Sequence, residues 1–191
     1  TTLGALSIPG AGGATSWSVS DNTSKEQTLG IAGLWAQGVR CFEFMVDNAS
    51  NFGGQYVSCN GVKTTTTLKT AVDSVSSFIA SSKEFGMVII TYQEENLNSY
   101  DRNAGNTGFA GNFQTFWSGY SYSGVTKKKY DANLTVGDAK GYLFCIGRPV
   151  AAGLDAGWYT GVADGDNDTT VEDFAGGTVI NVLGWGNNAD Q

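Results

Sequence analysis

Two kinds of apolar patterning alternate along this chain, and together they leave few architectures open. Between residues 67 and 82, Leu68, Ala71, Val72, Val75, Phe78 and Ile79 recur at helical spacing, with Lys69, Asp73 and Ser76 opposite them. Directly afterwards Met87-Val88-Ile89-Ile90-Thr91-Tyr92 forms an unbroken run, as a strand covered on both faces requires. Residues 39–46 are a second such run, interrupted by one acid, Glu43, and residues 140–147 are another. Residues 3–9, closed by Pro9 and Gly10, read as the first strand. A helix is expected over 24–37, opened by a capping box from Thr23 to Glu26 and stopped at Gly38. Residues 55–60 give another strand, 109–119 an aromatic helix, and 178–183 a last strand. Strand and helix in alternation specify an α/β protein with parallel strands and right-handed crossovers.

With 191 residues the chain is read as a single domain, with a Gly/Asp-rich part over 150–191. A closed eight-stranded α/β barrel takes about 250 residues. The expectation is therefore a barrel-like sheet that is incomplete or compact, or a sequence that belongs to a longer polypeptide. Thr1, with no Met before it, fits a processed or trimmed start.

The net charge of −7 opposes binding to nucleic acid or to anionic membranes. The lysine run Lys127-Lys128-Lys129 reads as a solvated loop. No apolar stretch approaches the roughly 20 residues of a membrane span. Sparse charge (15%) with abundant Gly, Ser, Thr and Asn points to a secreted or cell-surface protein. Sequons at Asn22, Asn48, Asn133 and Asn167 are candidate glycosylation sites in a eukaryotic secretory route. Cys41, Cys59 and Cys145 lie in strand-like stretches and read as buried thiols; there is no histidine to complete a zinc site.

At this point several motifs fall in a known order. Leu6-Ser7-Ile8-Pro9-Gly10, Gly38-Val39-Arg40-Cys41-Phe42-Glu43, Cys59-Asn60-Gly61, the Leu68–Ile79 helix, Val88-Ile89-Ile90-Thr91-Tyr92-Gln93 and Leu134-Thr135-Val136-Gly137-Asp138-Ala139-Lys140-Gly141 follow one another. Over about residues 3–149 the chain resembles the phosphatidylinositol-specific phospholipase C X-domain family, in a degenerate form without histidines. The resemblance implies a TIM-barrel-like phosphodiesterase fold with its site at the C-terminal ends of the strands.

The family's chemistry is phosphodiester cleavage by two histidines, one as base and one as acid, with a cation steadying the phosphate. Imidazole suits both roles because it titrates near working pH. By the resemblance, the first histidine falls on Gly12 and the polar residue after it on Gly13. The family's strand-two acid is Glu43. Met45 stands where bacterial members place arginine and eukaryotic members a calcium-binding aspartate, and the second histidine falls on Asn60. Each general acid or base contributes about 10²–10⁴ in rate, so the resemblance implies a protein that no longer cleaves. Glu43 is then expected to be a buried acid paired with Arg40 or Lys140.

Two alternatives share the same positions. One is a phosphodiesterase using Glu43 with a metal, for which Glu43, Asp47, Asn60 and Glu94 would have to gather; calcium is the one cofactor left open. The other is an inositol- or carbohydrate-binding protein using Glu43, Asn60, Tyr92 and Glu94 in the former pocket. The Asp164-Gly165-Asp166-Asn167-Asp168 run begins like a calcium loop. It fails at Thr169 and Ala175, where glycine and glutamate belong, and reads as a surface turn. Phe113, Phe116 and Trp117 read as core, whereas Tyr120 and Tyr122 read as exposed, free to stack on a sugar or join an interface. Ser118 and Ser121 have no histidine to activate them. An open parallel edge would invite a second copy or an extracellular partner.

Overall fold

The computed structural model describes residues 1–19, 25–46, 64, 66–92, 113 and 115–148, with strand segments at 159–160, 170–172 and 179–181. Its centre is a parallel sheet. In chain order the strands are β1 (Gly10–Ala11), β2 (Cys41–Val46), β3 (Gly86–Tyr92), β4 (Thr126–Lys128), β5 (Tyr142–Arg148) and β6 (Tyr159–Thr160). In space the order is β1-β2-β3-β5-β4, and β6 also pairs with β5. Every pairing in this sheet is parallel, with Glu43 opposite Ile89 and Met45 opposite Thr91. β2 therefore neighbours residues 86–92 directly, and the strand expected over 55–60 lies outside the described residues. β7 (Thr170–Glu172) and β8 (Val179–Asn181) form a separate antiparallel pair, so the strand expected at 178–183 does not join the parallel sheet.

Alternation along the strands buries both faces. Phe42, Phe44, Val88, Ile90, Leu143 and Cys145 face the helices α1 (Ile31–Ala36) and α2 (Leu68–Ser82). Met87, Ile89, Phe144 and Ile146 face the other way, onto Leu3, Phe85, Tyr130 and Ala139. α2 follows its apolar period closely. Thr67 caps it by accepting the Thr70 N–H at 3.1 Å, and Lys83 ends it in the left-handed conformation. Ser76, expected on the polar side, is buried instead, because its hydroxyl meets the Tyr120 hydroxyl at 2.9 Å.

Two elements differ from expectation for identifiable reasons. Residues 3–5 form a 3-10 turn rather than a strand. The Leu3 and Gly4 N–H groups donate to the carbonyls of Leu134 and Ala132, each at 2.8 Å, and a Cβ on Gly4 would meet Ala132 Cβ at 2.8 Å. The strand starts only after Pro9, whose carbonyl accepts from the N–H groups of Arg40 and Cys41. α1 is shorter than the expected 24–37 helix and begins after Gly30. Upstream, the N–H groups of Glu26 and Gln27 both donate to Ser16 Oγ at 2.9 Å, which draws that segment away from the helix axis. Gly38, at φ +92°, ends the helix as expected. Of the aromatic helix expected over 109–119, residues 113 and 115–119 are helical among those described.

A candidate site at the C-terminal ends of the first two strands

The chain leaves β1 through Gly12 and Gly13, and Gly13 adopts φ +49°, which favours glycine. β2 runs alongside, and its carbonyl at Glu43 accepts the Ala14 N–H at 3.0 Å, fixing the loop over the strand. Glu43 is 4% exposed, and its carboxylate approaches the Gly13 N–H at 3.4 Å. Its neighbour Met45 is buried on the same face, with its Cε methyl 3.3 Å from where a Gly13 Cβ would lie.

A third residue completes the group. Glu26 reaches in from residues 25–27 so that a Cβ on Gly13 would overlap its Oε2 and lie 2.8 Å from its Cδ. The segment is held by Ser16 Oγ and by Gln27 Nε2, which donates to the Gly12 carbonyl at 2.9 Å. Glu26 as a residue is exposed, but its carboxyl end is wedged against Gly13. That enclosure, followed by the charge of Glu43, raises its pKa from 4.5 to about 7. The site thus holds two carboxylates against one glycine pair. Sequence reading assigned Glu26 only to a helix cap. Its contact with Gly13 crosses a loop and follows no periodicity; the one hint was a Gly-Gly pair that leaves side-chain room unfilled.

Arg40 pairs with Glu84 at 2.7 Å and lies 4.0 Å over the Trp35 ring, at the opposite end of β2 from the site, instead of pairing with Glu43. Tyr92 ends β3 next to Val46. Asp47, Asn60, Glu94, Asn22, Asn48, Asn167 and the 164–168 run lie outside the described residues, as does Cys59. Asn133 is exposed in a turn, its N–H bonded to Asp131. Cys41 and Cys145 are both free thiols; Cys145 is buried as expected, whereas Cys41, at the start of β2, is half-buried. Burial, then Glu43, pushes the Cys41 thiol up to about 12, and burial raises Cys145 well above the usual thiol range.

Tyr120 is buried, contrary to expectation. It stacks on Trp117 with ring centroids 5.7 Å apart, and its hydroxyl donates to Asp73 at 3.0 Å besides meeting Ser76. Tyr122 packs against the same core. The lysine run is not a loop either: Lys127 and Lys128 lie on β4. Lys127 bonds the Trp117 carbonyl and sits over that ring, and desolvation lowers its pKa. Among the described residues, no group of three or more histidines, cysteines or acids stands ready to hold a metal, and no helix is long and apolar enough to cross a membrane.

No family model and no curated protein matches the chain. Solved structures do. Two structures of the Staphylococcus aureus phosphatidylinositol-specific phospholipase C, from work on modulation of its membrane binding, superpose with TM-scores of 0.70 and 0.68 at 18% and 20% identity. A third, carrying pentafluoro-phenylalanine, gives 0.69 at 16%. Each likeness covers 91% of this chain but 59% of the enzyme, so the chain spans well under two thirds of the length it matches. At these identities what is shared is architecture: the chain has the TIM-barrel-like fold of the bacterial phosphatidylinositol-specific phospholipases C.

Proposed function

We propose that this protein is a phospholipase C-like module that binds rather than cleaves, and that its ligand is a neutral polyhydroxylated group such as inositol or a sugar. The observation that carries this reading is the meeting of Glu26 and Glu43 at Gly13. Both carboxyl groups can hydrogen-bond to hydroxyls, whereas the charge on Glu43 repels a phosphodiester, and a net charge of −7 adds to that repulsion. The positions that would carry the catalytic imidazole and its neighbour are Gly12 and Gly13, and Glu26 and Gln27 fill the space over them. On this reading the protein is secreted or displayed at the cell surface and works by binding or assembly, with a second copy or an extracellular molecule as partner.

The test has two arms. Incubation with phosphatidylinositol, with and without calcium, is expected to give no turnover above buffer. Titration with myo-inositol and with neutral glycans is expected to give saturable binding that Glu43→Gln weakens. Turnover abolished by Glu43→Gln would instead establish the second reading, which a specific observation favours. Glu26, holding its proton to about pH 7 beside an acid already on β2, has the properties of a general acid facing a general base.

A further inference from the structure

Residues 25–27 carry a set of contacts that no core-packing requirement explains. Their two amides converge on one hydroxyl, Ser16 Oγ; the Gln27 side chain caps the Gly12 carbonyl; and the Glu26 carboxyl fills the volume that Gly13 leaves empty. All of these contacts land on the loop that leaves β1, directly over Glu43. None of them buries a large apolar side chain: Leu29, just downstream, is 43% exposed, and Trp17, next to Ser16 and within van der Waals reach of Gly30, is 42% exposed. A segment held by a few polar bonds over a buried acid opens at low cost compared with the sheet beneath it.

We propose that residues 25–27 are a proton-latched strap, closed over Glu43 and the loop that leaves β1 when Glu26 is protonated and released when it ionises. The groups facing Glu26 explain the sense of the latch. Among the described residues, β2 supplies Glu43, a like charge, and Met45, which is apolar; the β1 loop supplies Gly13 and Ser16, neither of which titrates in this range; and α1 contributes no charged residue. Lys25 is the adjacent residue in the strap itself. Closed, the Glu26 carboxyl titrates at about 7; open, it returns to 4.5. The closed form therefore binds the proton more tightly. Its advantage is complete below 4.5, falls as pH rises, and is exhausted above about 7.

Amide hydrogen exchange of the ligand-free protein reads the strap without reference to any substrate, so its outcome is independent of whether the site binds or cleaves. After correction for intrinsic exchange, the protection of the Glu26 and Gln27 amides is expected to drop about ten-fold or more between pH 4.5 and 7.5 and to level off above. The Ala71 and Met87 amides in α2 and β3 serve as unchanged references. Glu26→Gln is expected to hold the protection constant across that range, and Ser16→Ala to remove it at every pH. Glu43→Gln, by deleting the repulsion, is expected to make the levelling-off begin at lower pH. Protection that is flat in the wild-type protein, or that falls equally in Glu26→Gln, overturns the latch. If Glu43→Gln fails to fold, the Glu26→Gln comparison decides alone.

Discussion

Glu26 and Glu43 show how differently one side chain behaves at two depths. Glu43 is built into β2 and sealed, whereas Glu26 leans in from the rim with solvent behind it. A raised carboxyl pKa in the folded protein means that the fold disfavours the ionised form. The associated stability is fully present below 4.5 and lost as pH climbs through about 7. Glu26→Gln is accordingly expected to raise the melting temperature at pH 8 by about 2 °C, the scale of a solvent-screened interaction, and to leave it unchanged near pH 4.5. Calorimetry at the two pH values checks the sign. At Tyr120 the hydroxyl is shared between Ser76 and Asp73, so Tyr120→Phe removes both contacts and leaves buried Ser76 without that partner. Urea unfolding is expected to show a loss of about 1–3 kcal/mol.

Among the elements, α2 is the one whose order, face and ends are all written locally. Its apolar period predicts the buried side, Thr67 supplies the cap, and Lys83 closes it. Thr67→Ala is expected to cost about 1 kcal/mol in chemical denaturation. Gly86→Ala is expected to cost about 1–3 kcal/mol, because the new methyl would meet Ile79 Cδ1 at 2.8 Å, at the packed junction of α2 and β3. β2, β3 and β5 were equally legible, since a strand covered on both faces has no choice but a continuous apolar run. Where reading failed, the deciding contact was distant. Residues 3–5 look like a strand until Leu134 and Ala132 claim the Leu3 and Gly4 amides, and the start of the 24–37 segment looks helical until Ser16 claims the amides of Glu26 and Gln27. Tyr120 sat in a Ser/Gly-rich stretch that suggested exposure, whereas contacts with Trp117, Asp73 and Ser76 hold it in the core. The candidate site was half visible for the same reason: Gly12, Gly13, Glu43 and Met45 lie in strand-end motifs, whereas Glu26 enters through a loop contact with no sequence period.

At the scale of the molecule, the two sheet faces give two apolar clusters that share β2, β3 and β5, and both thiols described here lie within them or at their edge. Cys41 and Cys145, with raised thiol pKa values, are expected to resist iodoacetamide at pH 8 in the native protein and to react together once it unfolds. Mass mapping of the alkylated peptides would reveal any thiol that reacts early. β5 is the shared partner of this sheet: β3 lies along one side of it, and β4 and β6 lie along the other. Yet β3 ends at Tyr92 and β5 begins at Tyr142. On a ribosome adding roughly 5–20 residues per second, the free edge of β3 leaves the exit tunnel several seconds before the strand that covers it. During that interval the nascent chain carries an apolar, hydrogen-bonding edge open to any extended peptide, so the window in which this protein most needs a chaperone is set by the synthesis time between its third and fifth strands.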